Sequence, residues 1–418
     1  MLDIKFIREN VDVVKAGAKK KHIDIDLDRL LKVDDERRKL MGEVEGMRAK
    51  QNEVSKAVAA GGPERDQLIA DMKVLKAEME AKEAELEPLI KEWELLMVQV
   101  PNVPDISVPD GDSDADNQEA KTWGTLPTFD FPLKSHIEIM EGKRMADFER
   151  GAKVAGFRGY YLKGDGALLS FAVWQYAQRF FMGKDFVPMI VPSLVRRVTM
   201  LGTGYIPQGE EDLYRTQDNE YLAGTGEVGA MAYYMGEILD KKDLPTKFLA
   251  FSPCFRREAG SHSKDVKGLI RVHEFFKWEQ VVLCEANHEE SVRQHEWVNR
   301  NTEEFIESLN IPYRTVVNCG GDLGLGQVKK YDIELWVPAE KKYREISSAS
   351  YFHDFQTRRL GIRYRDDDGT VRFAHSLNST AIPTPRILVS IIENYQQADG
   401  TVKVPAALVP FVGKEVLG

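Results

Sequence analysis

The sequence predicts an α+β protein in which a long antiparallel coiled-coil helical arm precedes an antiparallel β-sheet flanked by helices. Three observations carry this. Apolar residues recur at alternating spacings of three and four through residues 27–98, the period of a coiled coil. That pattern breaks once, at "AAGGPERD", so the two seams must fold back on each other. Beyond residue 120, strand-like stretches come as pairs joined by loops, with helices appended, and not as alternating βα units.

In the first half of the arm the seam is Leu30, Val33, Arg37, Leu40, Val44, Met47, Gln51, Val54 and Val58; in the second it is Leu68, Met72, Leu75, Met79, Lys82, Leu86, Leu89, Trp93 and Leu96. Gly61 and Gly62 suit the end of the first helix and Pro63 breaks it. About 30 residues per helix at 1.5 Å rise give an arm roughly 45–50 Å long. Pro88 predicts a kink near the base of the second helix. Such a hairpin serves either as a spacer or dimer element, or as a reaching arm that grips a partner. The cluster "KAGAKKKH" (15–22), with Arg48, Lys50, Lys56 and Arg65 near the tip, leans toward a polyanion. The arm domain therefore spans 1–100. An aspartate- and proline-rich linker follows over 101–119, and a second domain covers 120–418.

Within that second domain "FAVWQYAQRFFMG" reads as a helix and "FVPMIVPSLV" as a strand-rich run. "KFLAFSPCFRREAG" and "GLIRVHEFFKWEQVVLC" read as two strands of a hairpin, and "KYDIELWVP" as a further strand. Asn287 caps a helix reaching about Asn310, and Thr384 with Pro385 is expected to start another. Composition is that of an ordinary globular chain, 43% hydrophobic and 30% charged. A net charge of −10 supplies no global pull toward nucleic acid or an anionic membrane, so any polyanion is held by local basic patches. Three cysteines without a CxxC suggest reduced thiols, with neither a disulfide framework nor a zinc site. The first residues lack a signal-peptide core, and no apolar run is long enough to span a membrane. A cytoplasmic location is expected.

Chemistry concentrates in the hairpin. Alternation puts Arg256, Glu258, Arg271, Phe275 and Glu279 on one side of it. Arginines suit phosphates, an aromatic suits a base and carboxylates suit an amine; a charged solvent face would have the same pattern. Arg386 in the first turn of a helix opposes the helix dipole, which a bound anion would relieve. Glu345, in "REISSASYF", lies among hydroxyls that suit Mg²⁺ held with a nucleotide triphosphate.

Over essentially its whole length the chain resembles the seryl-tRNA synthetases, which are class II aminoacyl-tRNA synthetases. The resemblance rests on Pro192 in "FVPMIVPSLV", on "FRREAGSHSKDVKGLIRVHEFFKWEQ" and on "HSLNSTAIPTPRILVSIIENYQ", the three class II motifs in order. "TGE" at 225–227, "REISS" at 344–348 and "VPAALVPFVG" near the end also match. It implies a class II synthetase antiparallel catalytic sheet and a homodimer built partly through Pro192. It also implies an arm that grips the long variable arm of serine tRNA. The implied reaction joins L-serine to that tRNA through a seryl-adenylate at the expense of ATP with Mg²⁺, with selenocysteine tRNA a further acceptor where present.

Residue by residue, the resemblance implies that Arg256 contacts the α-phosphate and that Arg257 and Glu258 border ATP. Phe275 and Arg386 sandwich the adenine, and Val272 touches it through its backbone. Arg271 and Arg386 reach the terminal phosphates, and Ile346 and Ser347 also bind ATP. Glu345 and Ser348 hold Mg²⁺. Thr225, Gly226, Glu227, Arg256, Glu279, Asn378 and Thr380 surround serine, and the loop 259–268 meets the acceptor end of the tRNA. Gly226, Trp278 and residues 348–355 depart from the commoner family pattern, which bears on the fine shape of the serine pocket. Two other readings stand beside this one. A relative that charges a carrier protein would lack the arm, and a non-catalytic scaffold would not need Arg256, Glu279, Glu345 and Arg386.

Overall fold

The heptad seam folds as two long helices, α1 (Leu27–Ala60) and α2 (Arg65–Met97), in a computed structural model that describes residues 1–61, 63, 65–259 and 265–418. Asp26 caps α1 by accepting from the Arg29 amide, and Gly61 ends it at φ 74°, a conformation that costs glycine little. Gly62 lies outside the described residues. Leu30, Val33, Val44 and Leu86 are buried, and the other seam positions are half-buried between mostly exposed neighbours. Polar seam residues also find partners: the Arg37 guanidinium sits 4.3 Å from the Trp93 ring centroid, and Lys82 pairs with Glu43. Arg29 donates to both carboxylate oxygens of Glu92, at 2.6 and 2.7 Å. Helix α2 continues through Pro88 to Met97.

The chain divides into two units, Leu2–Lys19 with Ile23–Pro101, and Met1, Lys20–His22 with Asn102–Gly418. The second unit is built on an eight-stranded sheet. Its strands are β1 (Gln118–Trp123), β2 (Val187–Ile190), β3 (Thr246–Phe255), β4 (Glu274–Cys284), β5 (Tyr313–Val317), β6 (Lys329–Val337), β7 (Lys342–His353) and β8 (His375–Thr384). Across the sheet the order is β1-β5-β6-β7-β8-β4-β3-β2, antiparallel except for the β2/β3 pair. Strand β4 thus lies between β3 and β8 and is covered on both faces. Trp278, Val282 and Cys284 enter the main core with helices α3 (Asp165–Met182), α5 (His288–Ser308) and α6 (Arg386–Asn394). Val281 and Leu283 enter a smaller core on the other face, with Phe248, Ala250 and Met231. Met231 ends the short helix α4 (Gly226–Met231).

Two expectations need correction. Strand β4 starts at Glu274 and not at Gly268, so Arg271 and Val272 approach from a bend. Gly268 has φ 107°, and the Leu269 amide donates to His136 Nε2 in place of a ladder partner. The start of α6 also differs. Thr384 is the last residue of β8, its hydroxyl accepts from Trp174 Nε1 at 2.5 Å, and Pro385 occupies the cap position without a side-chain bond. Asn287 does cap α5, accepting from the Glu290 amide. The three cysteines are buried and unpaired, and among the described residues no helix is long and apolar enough to cross a membrane.

Candidate active site

The face of β4 that carries Val281 continues toward its N-terminal end as Glu279, Lys277 and Phe275, because side chains alternate along a strand. Three adjoining hollows open there. The first, of about 490 Å³, is lined by Phe275, Val272, Ile346, Glu258 and Arg386 among others. The second, of about 1050 Å³, is lined by Thr225, Glu227, Glu279, Ser348 and Asn378 and by the loop 324–327. The third is a charged cleft that includes Arg271, Arg344, Lys330 and Asp332. Arg256 and Glu345 border all three, and Lys277 and Thr380 border the first two.

Backbone carbonyls hold the cations in place. Arg256 Nε donates to the Gly224 carbonyl at 3.2 Å, and its guanidinium lies 5.3 Å from the Phe275 ring centroid. Arg386 Nε donates to the Ile270 carbonyl at 2.8 Å and Nη1 to the Glu345 carbonyl at 2.9 Å. Arg271 pairs with Glu258. Burial lowers the pKa of Arg386, with the Glu345 carboxylate working against that effect. Burial opposes ionisation of Glu345, but Arg386, Lys330 and Arg256 outweigh it and hold the carboxyl below its usual range. Asp332 nearby is pushed up to about 6, chiefly by burial. Ser348 Oγ donates to Asp332 and lies 3.3 Å from Glu345 Oε1.

The second hollow has its own charge pattern. Lys277 and Glu279 form a buried ion pair, and Thr225 Oγ1 and Thr380 Oγ1 donate to Glu279 Oε2 at 3.4 and 3.5 Å. Glu227 accepts from Gln356 Nε2 at 2.6 Å and from the Tyr205 hydroxyl at 2.9 Å. Burial pushes its pKa up to about 6. The floor is thus acidic, with one buried ammonium already paired. It can bind a small ligand that brings its own cation and hydroxyl.

Most of the expected residues converge here, and some do not. Arg257 is exposed and donates to the Glu211 carbonyl at 2.9 Å, away from all three hollows, because the chain turns it opposite to Arg256. Ser347 is buried on the other side of β7 and donates to the Thr380 carbonyl at 2.6 Å. Gly226 lies behind the wall, where a Cβ would meet Ser252 Oγ at 3.2 Å. Pro192 is exposed after edge strand β2. Part of the loop 259–268, residues 260–264, lies outside the described residues. Sequence reasoning missed Lys277, Tyr205, Gln356, Lys330 and Asp332. Only Lys277 carried a readable sign, its parity with Phe275 and Glu279.

The "tRNA synthetase class II core domain (G, H, P, S and T)" matches residues 211–395. With the antiparallel sheet and its cation-lined hollows, that match defines a class II aminoacyl-tRNA synthetase core. The "Seryl-tRNA synthetase N-terminal domain" matches residues 1–104. The serine–tRNA ligase of Deinococcus radiodurans is 48% identical over 421 residues, covering 100% of this chain and 99% of that protein. The ligase of Thermodesulfovibrio yellowstonii is 41% identical, with 100% of both chains covered. A crystal structure of seryl-tRNA synthetase from Pyrococcus horikoshii complexed with ATP superposes with TM-score 0.90 at 38% identity, over 100% of this chain and 99% of that one. The chain belongs to the seryl-tRNA synthetase family and is an enzyme of the serine–tRNA ligase class.

The raised pKa of Glu227 has a thermodynamic consequence. Its folded-state value of about 6 exceeds the ordinary 4.5, so ionisation disfavours the folded state. The contribution of this group to stability is therefore greatest below its unfolded pKa and falls as pH rises through about 6. A shift of this size corresponds to about 2 kcal/mol. Relative to Glu227→Gln, the wild type is expected to lose about that much stability between acid and mildly alkaline pH in urea unfolding. Parallel stability profiles for the two proteins would contradict the assignment.

Proposed function

We propose that the first hollow receives ATP, the second receives L-serine, and the two react where Arg256, Lys277 and Thr380 border both. That shared border is the observation that carries the reading, because a carboxylate and an α-phosphate must meet between their pockets. A neighbouring structure, the cytoplasmic serine–tRNA ligase from Naegleria fowleri in complex with AMP, supports the nucleotide half. It has TM-score 0.87 and 31% identity, over 100% of this chain and 98% of that one. Phe275 and Arg386 take the two faces of the adenine, Val272 borders it, and Arg271 and Arg386 reach the outer phosphates. Glu279, Thr225, Glu227, Asn378 and Thr380 take the ammonium and hydroxyl of serine. A site built to bond that hydroxyl rejects an analogue lacking it by ~10⁴-fold or more.

A carboxylate oxygen of serine attacks the α-phosphorus. The bond to the bridging oxygen breaks, and pyrophosphate leaves with the electron pair. Serine's carboxylate is already ionised near neutral pH, so no protein base is required. The protein contributes alignment and fixed positive charge at Arg256. Glu345 and Ser348 suit Mg²⁺: their hard oxygens lie 3.3 Å apart, and Asp332 orients the Ser348 hydroxyl. When bound, the ion supplies charge neutralisation on the phosphates. Among the described residues no group of three or more His, Cys, Asp or Glu could hold a metal ion, so Glu345 and Ser348 would hold Mg²⁺ only together with the nucleotide. In the second step a terminal ribose hydroxyl of the tRNA attacks the seryl carbonyl, the bond from that carbon to the phosphate oxygen breaks, and AMP leaves with the electron pair while the hydroxyl proton passes to the departing phosphate.

The acceptor is serine tRNA, and selenocysteine tRNA where present. Residues 1–100 form the tRNA-binding domain and 120–418 the catalytic domain, and the stretch between them, expected as a linker over 101–119, packs with the catalytic unit from Asn102 on. The arm grips the long variable arm, and exposed Lys50, Lys56 and Arg65 near its tip support that role. Other cations expected to take part are already engaged: Arg48 pairs with Glu83 at 2.6 Å and Lys15 with Asp28 at 3.0 Å. A homodimer through the edge of the sheet is supported by the exposed apolar side chains of edge strand β2, Val187 and Ile190, which a partner subunit would cover. The chemistry belongs in the cytoplasm, where tRNA and ATP are.

Three experiments test this. Arg256→Ala is expected to reduce serine-dependent ATP–pyrophosphate exchange by about 10²–10³-fold with the fold intact by circular dichroism. Near-normal exchange would remove Arg256 from the reaction. Replacing residues 30–97 with a short flexible linker is expected to preserve exchange and abolish transfer to serine tRNA. Transfer by the intact enzyme is expected to weaken steeply with salt. Aminoacylation at near wild-type efficiency in the deletion variant would reduce the arm to a spacer.

A further inference from the structure

Lys21 was expected among the basic residues available to a polyanion, but it is only 3% exposed. Its ammonium donates to the carbonyls of Gly324 at 3.1 Å, Leu325 at 3.0 Å and Gln327 at 2.5 Å. Three carbonyls match the three N–H donors of a lysine ammonium, and this amine has no acceptor role to fill. All three belong to the loop 324–327, every residue of which lines the hollow assigned to serine. That stretch of loop lies outside the strands of the sheet, so its carbonyls need partners from elsewhere.

Asn102 supplies a second hold. Its amide N–H donates to the Leu325 carbonyl at 2.9 Å, and its Nδ2 donates to Gly326 at 3.0 Å and to Phe352 at 2.8 Å. From the pocket side, Gln327 Oε1 accepts from the Gly324 amide at 2.6 Å and its Nε2 donates to Ser350 Oγ at 2.8 Å. A Cβ on Gly326 would come within 2.7 Å of the Phe355 ring, so the loop is already pressed against its support. Such a wall has one well-defined position only while the groups behind it are bonded.

We propose that Lys21 is a positioning residue for the amino-acid pocket. Together with Asn102 it fixes the 324–327 wall where serine fits and the extra methyl of threonine does not. The proposal rests on the reading of the second hollow as the serine pocket. Without the ammonium, the Gln327 carbonyl loses its donor, the Leu325 carbonyl keeps only the Asn102 amide and the Gly324 carbonyl only the Gln327 amide, and the wall relaxes. Discrimination by one methyl group amounts to about 10–200-fold, so even a small relaxation is measurable.

The test is ATP–pyrophosphate exchange with serine and with threonine, comparing the full-length wild type with Lys21→Met, Lys21→Arg and Asn102→Ala. Lys21→Met is expected to raise KM for serine about tenfold and to lower the serine-to-threonine ratio of kcat/KM about tenfold, while KM for ATP stays within about twofold. Lys21→Arg, which keeps the charge and donors, is expected to recover part of both effects, and Asn102→Ala to move both in the same direction. If Lys21→Met does not fold, Lys21→Arg and Asn102→Ala decide. Folded variants with wild-type serine KM and an unchanged ratio would overturn the proposal. So would equal losses for serine and ATP, which mark a general structural defect. Absence of serine-dependent exchange in the wild type would instead overturn the assignment of the pocket itself.

Discussion

The site depends on the register of strand β4 between β3 and β8. Glu279 lies opposite Ala250 on one side and Thr380 on the other, with a bulge beside β8 between Trp278 and Glu279. Because side chains alternate, this register sends Phe275, Lys277 and Glu279 to one face and Trp278, Val282 and Cys284 to the main core. A slip of one residue would exchange the two sets, burying an ion pair among aliphatic side chains. The large cost of that exchange makes the register single-valued, and the bulge then brings Thr380 to the same carboxylate as Thr225.

With the register fixed, the electrostatics of the site follow from burial and pairing. Lys277 neutralises Glu279 inside the protein, where an unpaired charge would be expensive. Glu227, offered hydrogen bonds but no ammonium of its own, is held closer to its neutral form. Arg256 and Arg386 are anchored to backbone carbonyls and face Glu345, so their charge is already oriented before any phosphate arrives. Preorganised charge in a water-poor site is the form in which electrostatics contributes most to rate.

Features set by local sequence were legible, and features set by distant contacts were not. The arm could be read from its seam because a heptad pattern is its own packing code, and Arg37 and Trp93, both on that seam, meet in the structure. Phe275 and Glu279 could be placed together from parity alone. The start of β4 was misjudged because the Leu269 amide is satisfied by His136, 133 residues away. Thr384 was misjudged because its hydroxyl accepts from Trp174 instead of capping α6. Lys21 looked like a surface cation in its own neighbourhood, and only the loop some 300 residues later makes it a buried one. Tyr205, Gln356 and Asp332 carry no local pattern at all; each matters through side chains that the fold brings to it, Glu227 for the first two and Ser348 for Asp332.

Arg256, Lys277 and Thr380 form the shared border of the proposed nucleotide and serine pockets. The most direct measurement is ATP–pyrophosphate exchange by the purified wild-type enzyme, without tRNA, across the twenty amino acids. Such a pairing of pockets predicts rapid exchange with serine, exchange at least about tenfold poorer with threonine, and only background with alanine and glycine. Exchange driven by glycine or alanine, or none with serine in a protein that still binds ATP, would contradict it.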